Sequence, residues 1–126
     1  MSEPSELETL RAVVEQAPEA IIFADRKGTI RLWNARAQAI FGYAAAEAIG
    51  RSLDLIIPEH LRAAHWRGYE RAIADGRTHL PAKPIVTRAT HKDGGKRYVE
   101  LSFGIVAHEV HGVLGAIATA RDVTSR

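Results

Sequence analysis

Apolar and polar positions repeat with two different periods along this chain, and the switches between them predict the elements. From Ser5 to Ala17, Leu7, Leu10, Val13 and Val14 recur at helical spacing. Ser5 followed by Glu8 has the form of a capping box, and Pro18 stops the segment. Two short apolar runs, Ala20–Ala24 and Thr29–Trp33, flank the turn Asp25-Arg26-Lys27-Gly28 and predict a hairpin. Asn34 is suited to cap a short helix, Ala35 to Phe41, that ends at Gly42. Gly50 and Pro58 break the stretch that follows into short helical pieces.

A long helix is predicted over Leu61–Asp75, closed by Gly76. Leu61, His65, Gly68, Tyr69, Ala72 and Ile73 form its apolar stripe, with Arg62, Arg67, Glu70 and Arg71 on the polar side. The remainder reads as three strands, Ile85–His91, Tyr98–Ala107 and Val113–Asp122. KDGGK turns the first into the second, and His108 to Gly112 makes a tight connection to the third. Two strands at the front and three at the back can form one antiparallel sheet with the helices over one face, an α+β arrangement that encloses a cavity. His65 is the odd member of its stripe, an imidazole where an apolar side chain is expected.

Composition narrows the chemistry. The chain has 126 residues, no cysteine, and seventeen basic against fifteen acidic residues. Without cysteine there is no disulfide, zinc-thiolate site, thiol nucleophile or cysteinyl photoadduct. The charges are interspersed, without the basic stripe and interleaved aromatics of a nucleic-acid reader. No apolar run reaches the ~20 residues of a membrane span, and the acidic start MSEPSELETL lacks a signal-peptide core; both fit a cytoplasmic protein. No Gly-x-Ser-x-Gly elbow is present, and Glu59-His60 lacks the second histidine of a zincin because position 64 is alanine. Asp93-Gly94-Gly95 is a turn rather than a phosphate loop, since no helix follows it. These features argue against an enzyme.

The segments ADRKGTIRLWNARAQAIFGY, IGRSLDLIIPE, HKDGGKRYVELS and GAIATARDVTSR together resemble a PAS domain, over nearly the whole chain. The resemblance implies a five-stranded antiparallel sheet in the order 2-1-5-4-3. It divides the chain into an N-terminal flanking helix (residues 1–17) and a PAS sensory domain (residues 18–126). It implies a signal-transduction module that senses or interacts, with no catalysis of its own, and that can be joined covalently to an effector domain. A homodimer through the N-terminal helix and the outer sheet face is the expected assembly.

Within that family, IIPEHLRAAHWRGYERAIADG is similar to the helix of bacterial oxygen-sensing domains that hold haem b through a single histidine. The resemblance makes His65 the iron ligand, Arg71 six residues on a partner of one propionate, and His79 eight residues later a partner of the other. The interval from His65 to Asp93 also matches without a gap. A neutral imidazole suits haem iron, and anionic propionates need cationic or hydrogen-bonding partners. Tyr69, Ile85, Leu101, Phe103 and Ala118 complete the expected cofactor contacts. Oxygen-binding relatives carry an arginine where this chain has Ile85, and one branch a methionine where it has Lys83. An apolar distal side of Ile85, Leu101 and Phe103 then implies ready binding of carbon monoxide or nitric oxide and weak retention of oxygen. The alternatives are a flavin or other organic ligand, with Trp66 as a stacking platform, or a cofactor-free interaction module in which His65 is a core histidine.

Overall fold

The computed structural model describes residues 2–80 and 83–125, so the outermost residues of the expected 1–17 and 18–126 division lie outside it. Helix α1, Glu6–Glu15, starts at a complete capping box. The Ser5 hydroxyl accepts from the Glu8 amide at 3.0 Å, and the Glu8 carboxylate accepts from the Ser5 amide at 2.8 Å. The helix ends two residues short of the expected Ala17, because the residue before a proline is pushed out of helical conformation. Strands β1 (Ala20–Asp25) and β2 (Ile30–Trp33) form the hairpin. Its turn is held by the Asp25 carboxylate, which accepts from the Lys27 and Thr29 amides. Thr29 falls outside β2 and makes a lone bridge with Ser52 instead.

Helices α2 (Ala35–Phe41) and α3 (Ala45–Ala48) and a single 3-10 turn at Leu53–Leu55 lead to the long helix α4, Glu59–Asp75. It begins two residues before the expected Leu61, since Pro58 fits a helix entrance and needs no amide partner there. Strands β3 (Ile85–Thr90), β4 (Lys96–His108) and β5 (Gly112–Asp122) follow. β4 outruns its expected span at both ends, starting directly after the Gly94-Gly95 turn and pairing with β5 as far as His108↔Gly112. All pairings are antiparallel and the order is β2-β1-β5-β4-β3, as the resemblance implied.

Period-two alternation sorts the sheet residues. Ile22, Ala24, Ile85, Thr87, Val99, Leu101, Phe103, Ala118 and Ala120 share the inner face, with Ile85↔Leu101, Phe103↔Ala118 and Ala118↔Ile22 directly paired. Ile30, Phe41, Val99 and Asn34 are the largest fully buried side chains, and Trp33 packs on Phe41 at 5.6 Å between ring centroids. This dense core lies under the hairpin and α2. α4 packs more loosely: Ile73 is its only buried residue. The outer sheet face keeps apolar side chains exposed, Leu32, Val86 and Tyr98 among them.

Candidate functional site

Because α4 stands off the sheet, a cavity of about 450 Å³ opens between them. That volume is typical of small-molecule and cofactor sites, roughly 300–1,000 Å³. The apolar stripe of α4 forms one wall through Leu61, His65, Gly68, Tyr69 and Ala72. The inner sheet face forms the other, and Ile56 and Ile57 close one end. Thus the stripe read from the sequence faces a cavity rather than a packed core.

The eight residues singled out from the sequence, His65, Arg71, His79, Tyr69, Ile85, Leu101, Phe103 and Ala118, all line this one cavity. Phe103 is 37% exposed although it lies on the inner face, and it lines the cavity.

His65 sits partly buried, edge-on to Trp66 at 4.6 Å and tilted against Tyr69 at 5.7 Å between ring centroids. Its Nδ1 is buried and has no hydrogen-bond partner among the described residues. Nε2 has none either, and it is not a buried atom, so it stays open to a ligand. Burial pushes the imidazole below its ordinary pKa, partly offset by the Asp54 carboxylate. The neutral form that results has a lone pair free for a metal or a hydrogen donor.

Tyr69 plays a different part. Its hydroxyl donates toward the β1 carbonyls of Ala24 and Asp25, at 3.2 and 2.5 Å, pinning α4 to the end of β1. Burial, reinforced by the Asp25 charge, pushes its pKa up to about 12, so it stays protonated. Its ring is what reaches the cavity.

Trp66, next to His65, does not line the cavity. Its indole N–H donates to the Asp54 carboxylate at 2.8 Å, and its ring lies over Gly28. A Cβ on Gly28 would come within 2.2 Å of that ring, and its φ of 82° also favours glycine. The tryptophan is therefore a clasp between α4 and the hairpin, not a stacking platform.

Of the cationic groups that line the cavity, Arg71 and His79 are exposed, whereas Arg88 on β3 is half-buried with its Nε buried and unpartnered. Arg71 is exposed and has no carboxylate partner among the described residues. His79 pairs through Nε2 with the Asp75 carboxylate at 2.5 Å, which leaves Nδ1 without a partner. Lys83 is exposed and does not line the cavity. No group of three or more His, Asp or Glu side chains among the described residues gathers as a metal site. An ion held here would need ligands beyond this chain's side chains, as a porphyrin supplies.

Reading the sequence missed two polar lining residues on β3, Arg88 and Thr87, of which Thr87 faces inward by alternation. Thr87 lines the cavity between Ile85 and Ala89 on the inner face of β3, and its hydroxyl has no partner among the described residues. Alternation from Ile85 would have found it.

A five-stranded sheet of this order, with one loosely packed helix walling a ligand-sized cavity, defines a sensory-domain architecture. The PAS fold family matches residues 14–126, and the chain belongs to it. It is similar to the sensor protein FixL of Bradyrhizobium diazoefficiens, 28% identical over 95 residues, covering 75% of this chain and 19% of FixL. It is also similar to the oxygen sensor protein DosP of Escherichia coli K12, 24% identical over 111 residues, covering 88% of this chain and 14% of DosP. The PAS domain of a Colwellia psychrerythraea protein superposes with a TM-score of 0.80 at 23% identity, over 97% of this chain and all of that one. The chain thus spans less than a fifth of either curated relative.

Proposed function

We propose that this PAS domain holds haem b in its cavity, with His65 Nε2 as the sole protein ligand to iron, and senses a diatomic gas or redox state. The carrying observation is the His65 imidazole itself. It is neutral, set in the wall of an apolar cavity, and unpartnered on both nitrogens, whereas buried polar groups are normally satisfied. When bound, haem supplies an iron centre that takes up a diatomic ligand or changes oxidation state. The residues of the chain do the rest. His65 would hold the iron from α4, and the apolar inner sheet face would line the rest of the pocket. Arg71 offers its guanidinium, and His79 its free Nδ1, to anionic groups. The likeness to an oxygen sensor supports the same reading, which assigns the domain sensing and not catalysis. Titrating the purified chain with hemin tests it: a Soret band that saturates at one equivalent is expected, and a colourless protein after reconstitution overturns it.

Arg71→Ala is expected to weaken haem uptake by about 1–2 kcal/mol. That is a charge-assisted hydrogen bond reduced for solvent exposure. Competition for haem with apomyoglobin measures it, and an unchanged affinity removes Arg71 from the site.

Residues 1–17 serve in this reading as a flanking helix that pairs two copies. α1 buries none of its residues, and Leu7, Leu10 and Val13 stay 57%, 54% and 62% exposed. The apolar outer sheet face is the matching surface on the second copy. Leu10→Glu is expected to turn a dimer into a monomer in light scattering. A wild-type chain that is monomeric at high concentration ends the idea. No helix among the described residues is long and apolar enough to cross a membrane.

A further inference from the structure

The sheet wall opposite α4 is mainly apolar, and on β3 its polar members are Thr87 and Arg88. On the inner face of β3, Thr87 stands between Ile85 and Ala89 and pairs in register with buried Val99. None of these neighbours offers a side-chain acceptor. Thr87 lines the cavity, and its hydroxyl makes no hydrogen bond among the described residues. Arg88 also lines the cavity; its Nε is buried and unpaired, although by alternation its side chain starts from the other face of the strand, so Thr87 is the neutral donor of the pair. A hydroxyl facing an apolar space is less favourable than the isosteric valine unless something there accepts its proton.

We propose that Thr87 sets the cavity's preference among small ligands, by offering its hydroxyl hydrogen to a diatomic molecule held in the cavity. The inference rests on the haem reading above. It replaces a wholly apolar distal wall with one that carries a single neutral donor. Dioxygen bound to ferrous iron carries partial negative charge and gains from such a donor, whereas carbon monoxide gains little. Thr87 is thus a specificity residue, with no part in holding the cofactor.

The test uses haem-loaded wild type, Thr87→Val and Thr87→Ser, with oxygen and carbon monoxide dissociation rates from stopped flow and the C–O stretch of the carbonyl form. Thr87→Val keeps shape and loses the donor. It is expected to load haem like wild type and to release oxygen roughly threefold to tenfold faster, the effect of one neutral hydrogen bond. Its carbon monoxide release should stay within about twofold, since that ligand gains little from a donor. The C–O stretch should rise, and Thr87→Ser should restore wild-type oxygen release. Equal oxygen rates in wild type and Thr87→Val overturn the role of Thr87 and leave haem binding standing. Parallel changes for both gases also overturn it, because they report altered space and not a donor. A wild-type chain that takes up no haem overturns the underlying reading, and this assignment with it.

Discussion

His65→Ala abolishes stoichiometric haem uptake and leaves the fold intact; this is the largest functional effect expected in the molecule. The fold survives because the side chain makes no hydrogen bond and is only partly buried, so its removal leaves no partner orphaned. Uptake fails because no second histidine, cysteine or methionine lines the cavity wall provided by α4. His79, the other cavity histidine, is already paired with Asp75. The Soret band on mixing with hemin reads the first effect, and circular dichroism the second. A variant that binds haem as well as wild type refutes the ligand assignment. The same variant carries a pH signature. Burial lowers the His65 pKa in the folded state below its ordinary value of 6.5. A group whose folded pKa is depressed contributes stability that is present above the unfolded pKa and is lost as pH falls through the folded one. Wild type should therefore lose stability below about pH 6.5 from this group, and His65→Ala should lose less over the same window.

Local chemistry made most of the architecture readable. The Ser5–Glu8 capping box, the Asn34 cap, the Gly42 stop and the alternation of Val99, Leu101 and Phe103 are short-range signals, and each is present in the structure. The cavity wall on α4 was readable for a related reason. A helix stripe that faces a ligand cavity has the same periodicity as one that faces a core, and only the imidazole at position 65 marks the difference. Thr87 escaped notice because threonine is also a good strand former, and alternation alone does not say whether its hydroxyl finds a partner. The partners of Tyr69 and Trp66 were beyond local reading. Ala24 and Asp25 lie more than forty residues before Tyr69, and Asp54 lies twelve residues before Trp66. Such contacts follow from the way α4 crosses the hairpin, which no window of sequence contains.

Asn34→Ala is expected to destabilise the domain by about 3 kcal/mol or more, the largest effect on folding argued for a single side chain here. Asn34 is 2% exposed, and all of its hydrogen-bonding capacity on one amide is engaged in holding separate segments together. Its Oδ1 accepts from the Ala37 amide at 3.1 Å, which caps α2, and from the Ile21 amide at 2.9 Å, which anchors the start of β1. Its Nδ2 donates to the Val14 carbonyl at 2.8 Å, near the end of α1, and to the Glu19 carbonyl at 3.0 Å. Losing the cap alone costs about 1 kcal/mol. The remaining amide and carbonyl groups are left short of a partner in a part-buried place, at about 1–3 kcal/mol for each group that water cannot reach. Asn34→Asp separates the two halves: it keeps both acceptor contacts, loses both donors, and sets a carboxylate against two carbonyl oxygens. It should fall between wild type and Asn34→Ala if the Oδ1 contacts dominate, and below Asn34→Ala if repulsion with Val14 and Glu19 dominates. Urea denaturation with an unchanged m-value measures the loss directly. A loss of less than about 1 kcal/mol for Asn34→Ala would mean that water replaces the amide, and that α1, β1 and α2 are held in place without it.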